Sequence, residues 1–336
     1  MLALFLGCLK LLPPSLEPAE TPTYTTDDGW ENQLRHYPGD GPPVVLVHGM
    51  GANHYNYDFR EEVSLAAWLQ AEGWDVWVVG LRGDPGSRPA ERGQQRSYTF
   101  DAFAEQDVPA AIDRVLELTD AEQVEWVGHS MGGMLLYAYL RQHPEKVAAG
   151  VAVSSPVQFG EQPPLHSIVR KTGWTTPGEG RLRQDLAAQA FAPLAYNNPV
   201  IRKLTWRENM DPAITRGLAK VAVEDMPHAF KRQVVTWLDG RAFVDDDGRS
   251  WVEPHTGVPL LVMGGDKDLV APWANVSPAC SVYSPCDLVH LAPEGGFDRH
   301  YGHLDPMLGV TAARDVYPLI GDFLSRTVSV QGAPAE

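Results

Sequence analysis

A single hydroxyl stands at a turn between two apolar segments in VEWVGHSMGGMLLYAYL, residues 124–140. The first residues of this stretch have the pattern of a buried strand, and the last have the pattern of a buried helix. Gly128 and Gly132 flank Ser130, and glycine is what a crowded, strained turn requires. The pattern predicts a nucleophile elbow, in which Ser130 Oγ projects into a cleft above the sheet. The alternative is an ordinary helix start with Ser130 as the N-cap residue.

Two other polar groups follow predicted strands and could supply an acid and a base. LLVMGGDKD ends in Asp266 and Asp268, and FDRHYGHLDPMLG carries His300 and His303. Ligands of parallel sheets bind beyond the carboxyl ends of the strands, so these side chains are expected near Ser130. A Gly-x-x-Asp spacing from the preceding glycine favours Asp268 over Asp266. The chain order serine, aspartate, histidine is then the order of a Ser-His-Asp triad built on an α/β sheet.

The elements that must position these residues alternate between strand and helix patterns. PPVVLVHGMG, DVWVVGLRG and KVAAGVAVSSP are short apolar runs typical of buried parallel strands, whereas SLAAWLQAEGW has helical spacing. The dipeptide Asp28-Gly29 predicts a hairpin before them. This alternation predicts an α/β fold, with a mostly parallel, doubly wound sheet covered by helices on both faces.

The same patterns divide the chain into four segments. Residues 1–20 form an apolar arm, residues 21–155 the first part of the core, and residues 255–330 its second part. Between the two core parts, residues 156–254 show helical patterns without a convincing buried strand. We predict that this segment is a helical cap inserted above the sheet edge where Ser130 lies.

The chain resembles the α/β-hydrolase superfamily and, within it, the acid lipase group of gastric and lysosomal lipase-like enzymes. The matching segments are SLAAWLQAEGWDVWVVGLRG, SYTFDAFAEQDVPAAIDRVLELT, VEWVGHSMGG, GGDKDLVAP and YGHLDPMLG. The resemblance implies the α/β-hydrolase fold and an ester hydrolase with Ser130 as nucleophile. It also favours His303 over His300 as the base, through the GHLD motif.

The predicted chemistry needs a site for the oxyanion of a tetrahedral intermediate. Two backbone N–H groups usually supply it, one from the residue after the nucleophile and one from the loop after the first core strand. Here these are Met131 and, following His48-Gly49, Met50. His48 and His129 are expected to act as structural hydrogen-bonding groups rather than as bases.

The predicted cap is rich in aromatic and methionine side chains, most expected to pack it onto the core and some to line an apolar pocket. They are Phe159, Trp174, Phe191, Trp206, Met210, Met226, Phe230, Trp237 and Trp251. Such a pocket favours a small-molecule or lipid ester with an apolar acyl group. Three functions remain open: an esterase or lipase, an acyltransferase that passes the acyl group to an alcohol, and a binding protein that has lost activity.

Composition narrows the choice of partners. The chain has 336 residues and a formal net charge of −16, which argues against nucleic acid and anionic membrane surfaces. No cluster has the spacing of metal ligands, and the mechanism requires none, so we expect no metal and no organic cofactor.

The N-terminal stretch MLALFLGCLKLLPPSLEPAE is too short in its apolar run to span a bilayer, and it lacks a clear signal-peptide pattern. We expect an arm that docks on the protein or makes a weak contact with a lipid surface; a cytoplasmic and an exported location both stay open.

Of the three cysteines, Cys280 and Cys286 could form a disulfide in an exported protein, but we favour the interpretation that they are small, unpaired residues.

Overall fold

An eight-stranded sheet forms the centre of the protein. The computed structural model describes residues 10–91, 97–163, 166–167, 169–171 and 181–331. The strands are β1 (Thr23–Thr25), β2 (Glu31–Tyr37), β3 (Pro43–Val47), β4 (Asp75–Val79), β5 (Val124–His129), β6 (Val147–Val153), β7 (Arg181–Leu182), β8 (Met226–Pro227), β9 (His255–Gly265) and β10 (Tyr283–Leu291). Eight of them form one sheet in the order β1-β2-β4-β3-β5-β6-β9-β10, and β7 pairs with β8 separately.

The direction of the strands confirms the predicted, mostly parallel sheet. The neighbouring pairs from β4 to β10 are all parallel, whereas β1 and β2 form an antiparallel hairpin and β2 runs antiparallel to β4. The hairpin turns at Asp28-Gly29 as predicted, with Gly29 at a φ of 87°. Every residue of β3, β4, β5 and β6 is buried, in agreement with their apolar runs.

Helices cover both faces of this sheet. They are α1 (Tyr55–Asp58), α2 (Leu65–Ala71), α3 (Phe100–Ala102), α4 (Val108–Thr119), α5 (Met131–Leu140), α6 (Gln184–Phe191), α7 (Ile201–Leu204), α8 (Pro212–Val221), α9 (His228–Gly240), α10 (Trp273–Val276), α11 (Asp305–Leu308), α12 (Ala312–Asp315) and α13 (Tyr317–Gln331). Alternate residues of β3 belong to two separate hydrophobic cores, Val45 and Val47 to one and Val44 and Leu46 to the other. This division confirms the doubly wound architecture, because successive side chains of a strand point to opposite faces.

The central strand β5 carries a buried carboxyl group. Glu125 of β5 is 1% exposed, and its Oε2 atom has no hydrogen-bond partner among the described residues. Burial raises the pKa of this carboxyl group from 4.5 to about 8, although a hydrogen bond from the backbone of Ala149 opposes the shift. The folded protein therefore holds a proton here that the unfolded chain releases above about pH 4.5.

We expect Glu125→Gln to stabilise the protein at neutral and alkaline pH. The pKa of the Glu125 carboxyl group is higher in the folded protein than in the unfolded chain. The buried carboxyl group therefore does not destabilise the fold below pH 4.5, destabilises it increasingly as the pH rises, and has its full effect above about pH 8. At pH 7 the pKa difference corresponds to about 3 kcal/mol of unfolding free energy. Urea unfolding at pH 5 and pH 8 measures this, with the exposed Glu122→Gln as the matched control. An equal effect of Glu125→Gln at both pH values would contradict the assignment.

The segment between β6 and β9 is mainly helical in its described residues, as its sequence patterns predicted. The short pair β7–β8 was not predicted, because two-residue strands leave no periodic pattern. Helices α6 to α9 lie in this segment and α8 packs against α6. The domain boundaries at residues 155 and 255 stay a prediction, and we propose below that this segment is a cap.

The described part of the N-terminal arm docks on the protein. The backbone N–H of Leu12 donates to the carbonyl oxygen of Ala213 in α8 at 3.2 Å, and that of Ser15 donates to Phe59 at 3.0 Å. Residues 1–9 lie outside the described residues, so the predicted lipid contact stays a prediction. Among the residues that the structure describes, none of the helices has the length and apolar character needed to cross a bilayer.

Cys280 and Cys286 form a disulfide, so the favoured prediction of unpaired cysteines was wrong. A short 3₁₀ helix (Ser277–Ser281) reverses the chain before β10 and brings the two Cα atoms to 5.3 Å, within the range that a disulfide spans. Spacing along the chain did not reveal this reversal.

Candidate active site

Ser130 lies at the sharp turn between β5 and α5. Its φ is 55°, a region that residues with a side chain rarely adopt. A Cβ atom at Gly132 would lie 1.8 Å from the carbonyl oxygen of Val47, and one at Gly128 would lie 2.3 Å from the backbone of Gly132. Both glycines are therefore required by close backbone contacts. Ser130 occupies the N-cap position of α5, but its side chain makes no capping hydrogen bond.

The Ser130 hydroxyl instead contacts His303. Ser130 Oγ lies 2.9 Å from His303 Nε2, and His303 Nδ1 lies 2.8 Å from Asp268 Oδ2. The other carboxylate oxygen of Asp268 accepts hydrogen bonds from the N–H groups of Val270 and Ala271, both at 2.8 Å. All three side chains are buried. The residues selected from chain order and motif thus form one continuous hydrogen-bonded chain.

The rival pair lies in a different place. His300 Nδ1 contacts Asp266 Oδ2 at 2.6 Å, and this carboxylate also pairs with Lys267. The His300 ring packs edge-on against Trp206 of the insert. Because His300 and Asp266 bond to one another and not to Ser130, the structure separates the two His–Asp pairs that the sequence left as competitors.

His129 supports the backbone that carries His303. Its Nε2 atom lies 2.9 Å from the carbonyl oxygen of His303, and its Nδ1 atom lies 3.1 Å from the side chain of Asn56. Burial, with the nearby His303 ring as a second cause, lowers the pKa of His129 to about 3. The ring is therefore neutral at ordinary pH and fits the predicted structural role.

The loop after β3 lies directly beside Ser130. A Cβ atom at Gly49 would be 3.2 Å from Ser130 Cβ. His48 Nδ1 bonds the carbonyl oxygen of Gly49, and His48 Nε2 bonds Asp84, both at 2.9 Å. Burial alone would lower the pKa of His48, but the Asp84 carboxylate outweighs it and raises the pKa. The ring thereby fixes the peptide unit whose N–H group belongs to Met50.

The two residues predicted to hold an oxyanion, Met131 and Met50, belong to the two segments that meet at Ser130. Met131 is the first residue of α5, where backbone N–H groups have no partner within the helix. Met50 lines the same cavity as Ser130. Their role in binding an oxyanion stays a prediction.

A cavity of about 350 Å³ opens above Ser130 and is lined mostly by apolar side chains of the core and the insert. Of the aromatic and methionine residues expected to line it, Phe159, Met226 and Trp237 do so. Phe230 and Trp251 are buried in the core, whereas Phe191 is 60% exposed and does not pack the insert onto the core. Trp174 lies outside the described residues.

The sequence missed two cavity residues, His166 and Lys231. His166 lies in the insert, and its Nε2 atom donates to the carbonyl oxygen of Val270, two residues after Asp268, at 2.8 Å. Lys231 belongs to α9. Neither falls at a strand end or in a recognisable motif, so only the packing of the insert reveals them.

Hydrogen bonds from the insert also fix the position of the loop that carries His303. The N–H groups of His303 and Leu304 both donate to the carbonyl oxygen of Leu204, at 3.1 and 3.0 Å. The buried Asp305 carboxylate accepts hydrogen bonds from the Trp206 N–H and the Asn209 side chain. Asp305 thus braces its own loop and ties it to residues of the insert.

The structure offers no group of three or more His, Cys, Asp or Glu side chains that could hold a metal ion within its described ranges. The expectation that no metal and no cofactor is needed stays a prediction.

Fold and site together define an α/β hydrolase. A family model described as alpha/beta hydrolase fold matches residues 42–304. The chain belongs to this family.

Individual relatives narrow the similarity to lipases and esterases. Human lysosomal acid lipase/cholesteryl ester hydrolase is 31% identical over 143 residues, which cover 38% of this chain and 36% of that protein. Human lipase member K is 23% identical over 89% of this chain and 86% of its own length. These matches confirm the resemblance to the acid lipase group. The chain spans about a third of the length of the lysosomal enzyme in that alignment.

A solved structure confirms the fold. The esterase EaEST from Exiguobacterium antarcticum superposes with a TM-score of 0.60 at 18% sequence identity, covering 92% of this chain and 100% of the other.

Proposed function

We propose that the protein is a serine hydrolase that cleaves carboxylic esters with an apolar acyl group. The observation that supports this best is the contact of Ser130 Oγ with His303 Nε2 at the base of an apolar cavity, with Asp268 on the other ring nitrogen. The lipase and esterase relatives support the same class of substrate. We further propose that residues 156–254 form the cap that encloses the acyl group.

In the first half of the reaction, Ser130 Oγ attacks the ester carbonyl carbon while its proton passes to His303 Nε2. The Asp268 carboxylate stabilises the imidazolium and holds its Nδ1–H in place. The carbonyl oxygen becomes an oxyanion, which the N–H groups of Met131 and Met50 are proposed to bind. The C–O bond to the alcohol then breaks, and His303 gives its proton to the departing oxygen.

In the second half, a water molecule replaces the alcohol beside His303. The ring takes a proton from the water as its oxygen attacks the acyl carbon of the Ser130 ester. The second tetrahedral intermediate collapses, the carboxylic acid leaves, and the proton returns to Ser130 Oγ. Water enters and one acid and one alcohol leave in each cycle.

We expect kcat/KM for p-nitrophenyl esters to rise with acyl chain length beyond acetate. Each buried methylene group favours binding by about 0.8 kcal/mol, roughly fourfold, until the cavity is filled. Steady-state kinetics on esters from acetate to palmitate measure the profile. A maximum at butyrate or shorter would exclude a lipase while keeping an esterase.

A variant within the cavity makes this experiment sharper. Val234 lines the cavity from α9, and Val234→Phe would fill part of the space for the acyl chain. The variant should lose more activity on decanoate than on acetate. The exposed Val310→Phe serves as the control and should leave the profile unchanged.

An acyltransferase would form the same acyl-enzyme and pass it to an alcohol. Among the described side chains, we identify no binding site for an alcohol, so we propose that water accepts the acyl group. Adding an alcohol to the assay and measuring free acid against transferred ester separates the two, and free acid should dominate.

A further inference from the structure

Lys231 is the charged residue among the described side chains that line the cavity above Ser130. It is the fourth residue of α9 (His228–Gly240), and Val234 and Leu238 of the same helix also line the cavity. Residues at positions i, i+3 and i+7 of a helix share one face. The face of α9 that meets the cavity is therefore apolar except for one ammonium group.

Each of the other polar side chains of the cavity wall has at least one hydrogen-bond partner, although His166 Nδ1 has none among the described residues. Ser130 contacts His303, His166 Nε2 donates to Val270, and the Gln184 side chain donates to the backbone carbonyl of Glu224. Lys231, in contrast, makes no hydrogen bond or ion pair shorter than 4 Å with any residue that the structure describes.

The carboxylate that acts electrostatically on Lys231 is already paired with other groups. It belongs to Asp225, whose Oδ2 atom pairs with Arg183 Nε at 3.1 Å and whose Oδ1 atom accepts the backbone N–H of Asp185. Half-burial lowers the pKa of Lys231, and Asp225 only partly opposes this shift. The cavity that Ser130 lines thus also presents an incompletely solvated cation without a bonded anion.

We propose that Lys231 determines specificity by binding a carboxylate at the far end of the substrate's acyl chain. This inference rests on the proposed ester hydrolysis and refines its substrate to half-esters of aliphatic dicarboxylic acids. The apolar wall would hold the methylene chain, and the ammonium would pair with the terminal carboxylate in place of water. Charge-assisted hydrogen bonds of this kind change affinity by about 10- to 100-fold.

The test compares two p-nitrophenyl esters of equal length, one ending in a free carboxylate and the other in its methyl ester. Acyl chains from adipate to sebacate cover the unknown distance, and nitrophenol release at pH 8 gives kcat/KM for each. At the best length we expect the carboxylate to be preferred by about 10- to 100-fold. Lys231→Met should abolish the preference and Lys231→Arg should restore most of it. The exposed Lys220→Met is the matched control and should keep it.

Two results would overturn the inference. One is equal kcat/KM for both esters at every length, and the other is a preference that survives in Lys231→Met. In either case the ammonium simply extends into water while its methylene groups line the wall. If neither ester is cleaved, the proposed hydrolysis itself has failed. Calorimetric binding of suberate to the wild type and to Lys231→Met then tests the carboxylate site independently, and equal affinities reject it.

Discussion

Ser130→Ala should lower kcat for p-nitrophenyl ester hydrolysis by about 10⁶-fold while the protein stays folded. The expected loss is this large because the hydroxyl is the atom that forms the acyl-enzyme, and alanine leaves no group within reach of the substrate. His303 and Asp268 cannot replace it, since their roles depend on the proton that Ser130 Oγ gives up.

The fold should survive because Ser130 uses its side chain for no capping hydrogen bond. Initial rates, with circular dichroism and Tm for folding, measure both parts of the prediction. The exposed Ser281→Ala is a suitable control and should retain full activity. Wild-type rates from a well-folded Ser130→Ala protein would exclude the whole catalytic proposal.

Removing the imidazole of His303 or the carboxylate of Asp268 should reduce kcat nearly as much as removing Ser130 Oγ. We expect His303→Ala and Asp268→Asn each to reduce kcat by about 10⁴-fold or more. Without His303 no group accepts the serine proton. Asparagine in place of Asp268 neither stabilises the imidazolium nor selects the tautomer in which Nε2 is free to accept that proton.

The second His–Asp pair provides controls matched in residue type and position. His300 and Asp266 bond to each other near the surface, so His300→Ala and Asp266→Asn should keep most of the activity. All four variants can be compared by kcat on one ester together with their Tm. An inactive, folded His300→Ala protein alongside an active His303→Ala protein would reverse the assignment.

Sequence patterns predicted the parts of the fold that depend on local chemistry. The runs PVVLV and VAAGVAV are apolar at every position, and such runs are stable mainly as strands covered on both faces. The turn at Ser130 was predictable for a steric reason, because glycines two residues away on either side permit backbone contacts that any Cβ would block.

Features that depend on contacts between distant segments were harder to predict. His303 was preferred to His300 only through the resemblance to acid lipases, since both belong to the same short loop. The Cys280–Cys286 disulfide was not predicted because the chain reversal at the 3₁₀ helix has no sequence pattern of its own. The position of Lys231 in the cavity wall was not predicted because the amphipathic pattern of α9 does not indicate which face of the helix contacts the cavity and which contacts water.

The bonds between the insert and the His303 loop bear on how substrate specificity could be re-engineered. Chimeric enzymes are often built by exchanging a whole insert between homologues. Here the backbone of Leu204 and the side chain of Asn209 hold the His303 loop, through Leu204 O and the Asp305 carboxylate. A chimera that replaced the whole insert, residues 204–209 included, would change the residues that line the substrate cavity and, at the same time, remove the hydrogen bonds that hold the His303 loop. A natural crossover point therefore lies inside the insert, before residue 204, and leaves α6, which has no buried residue, as the exchangeable element.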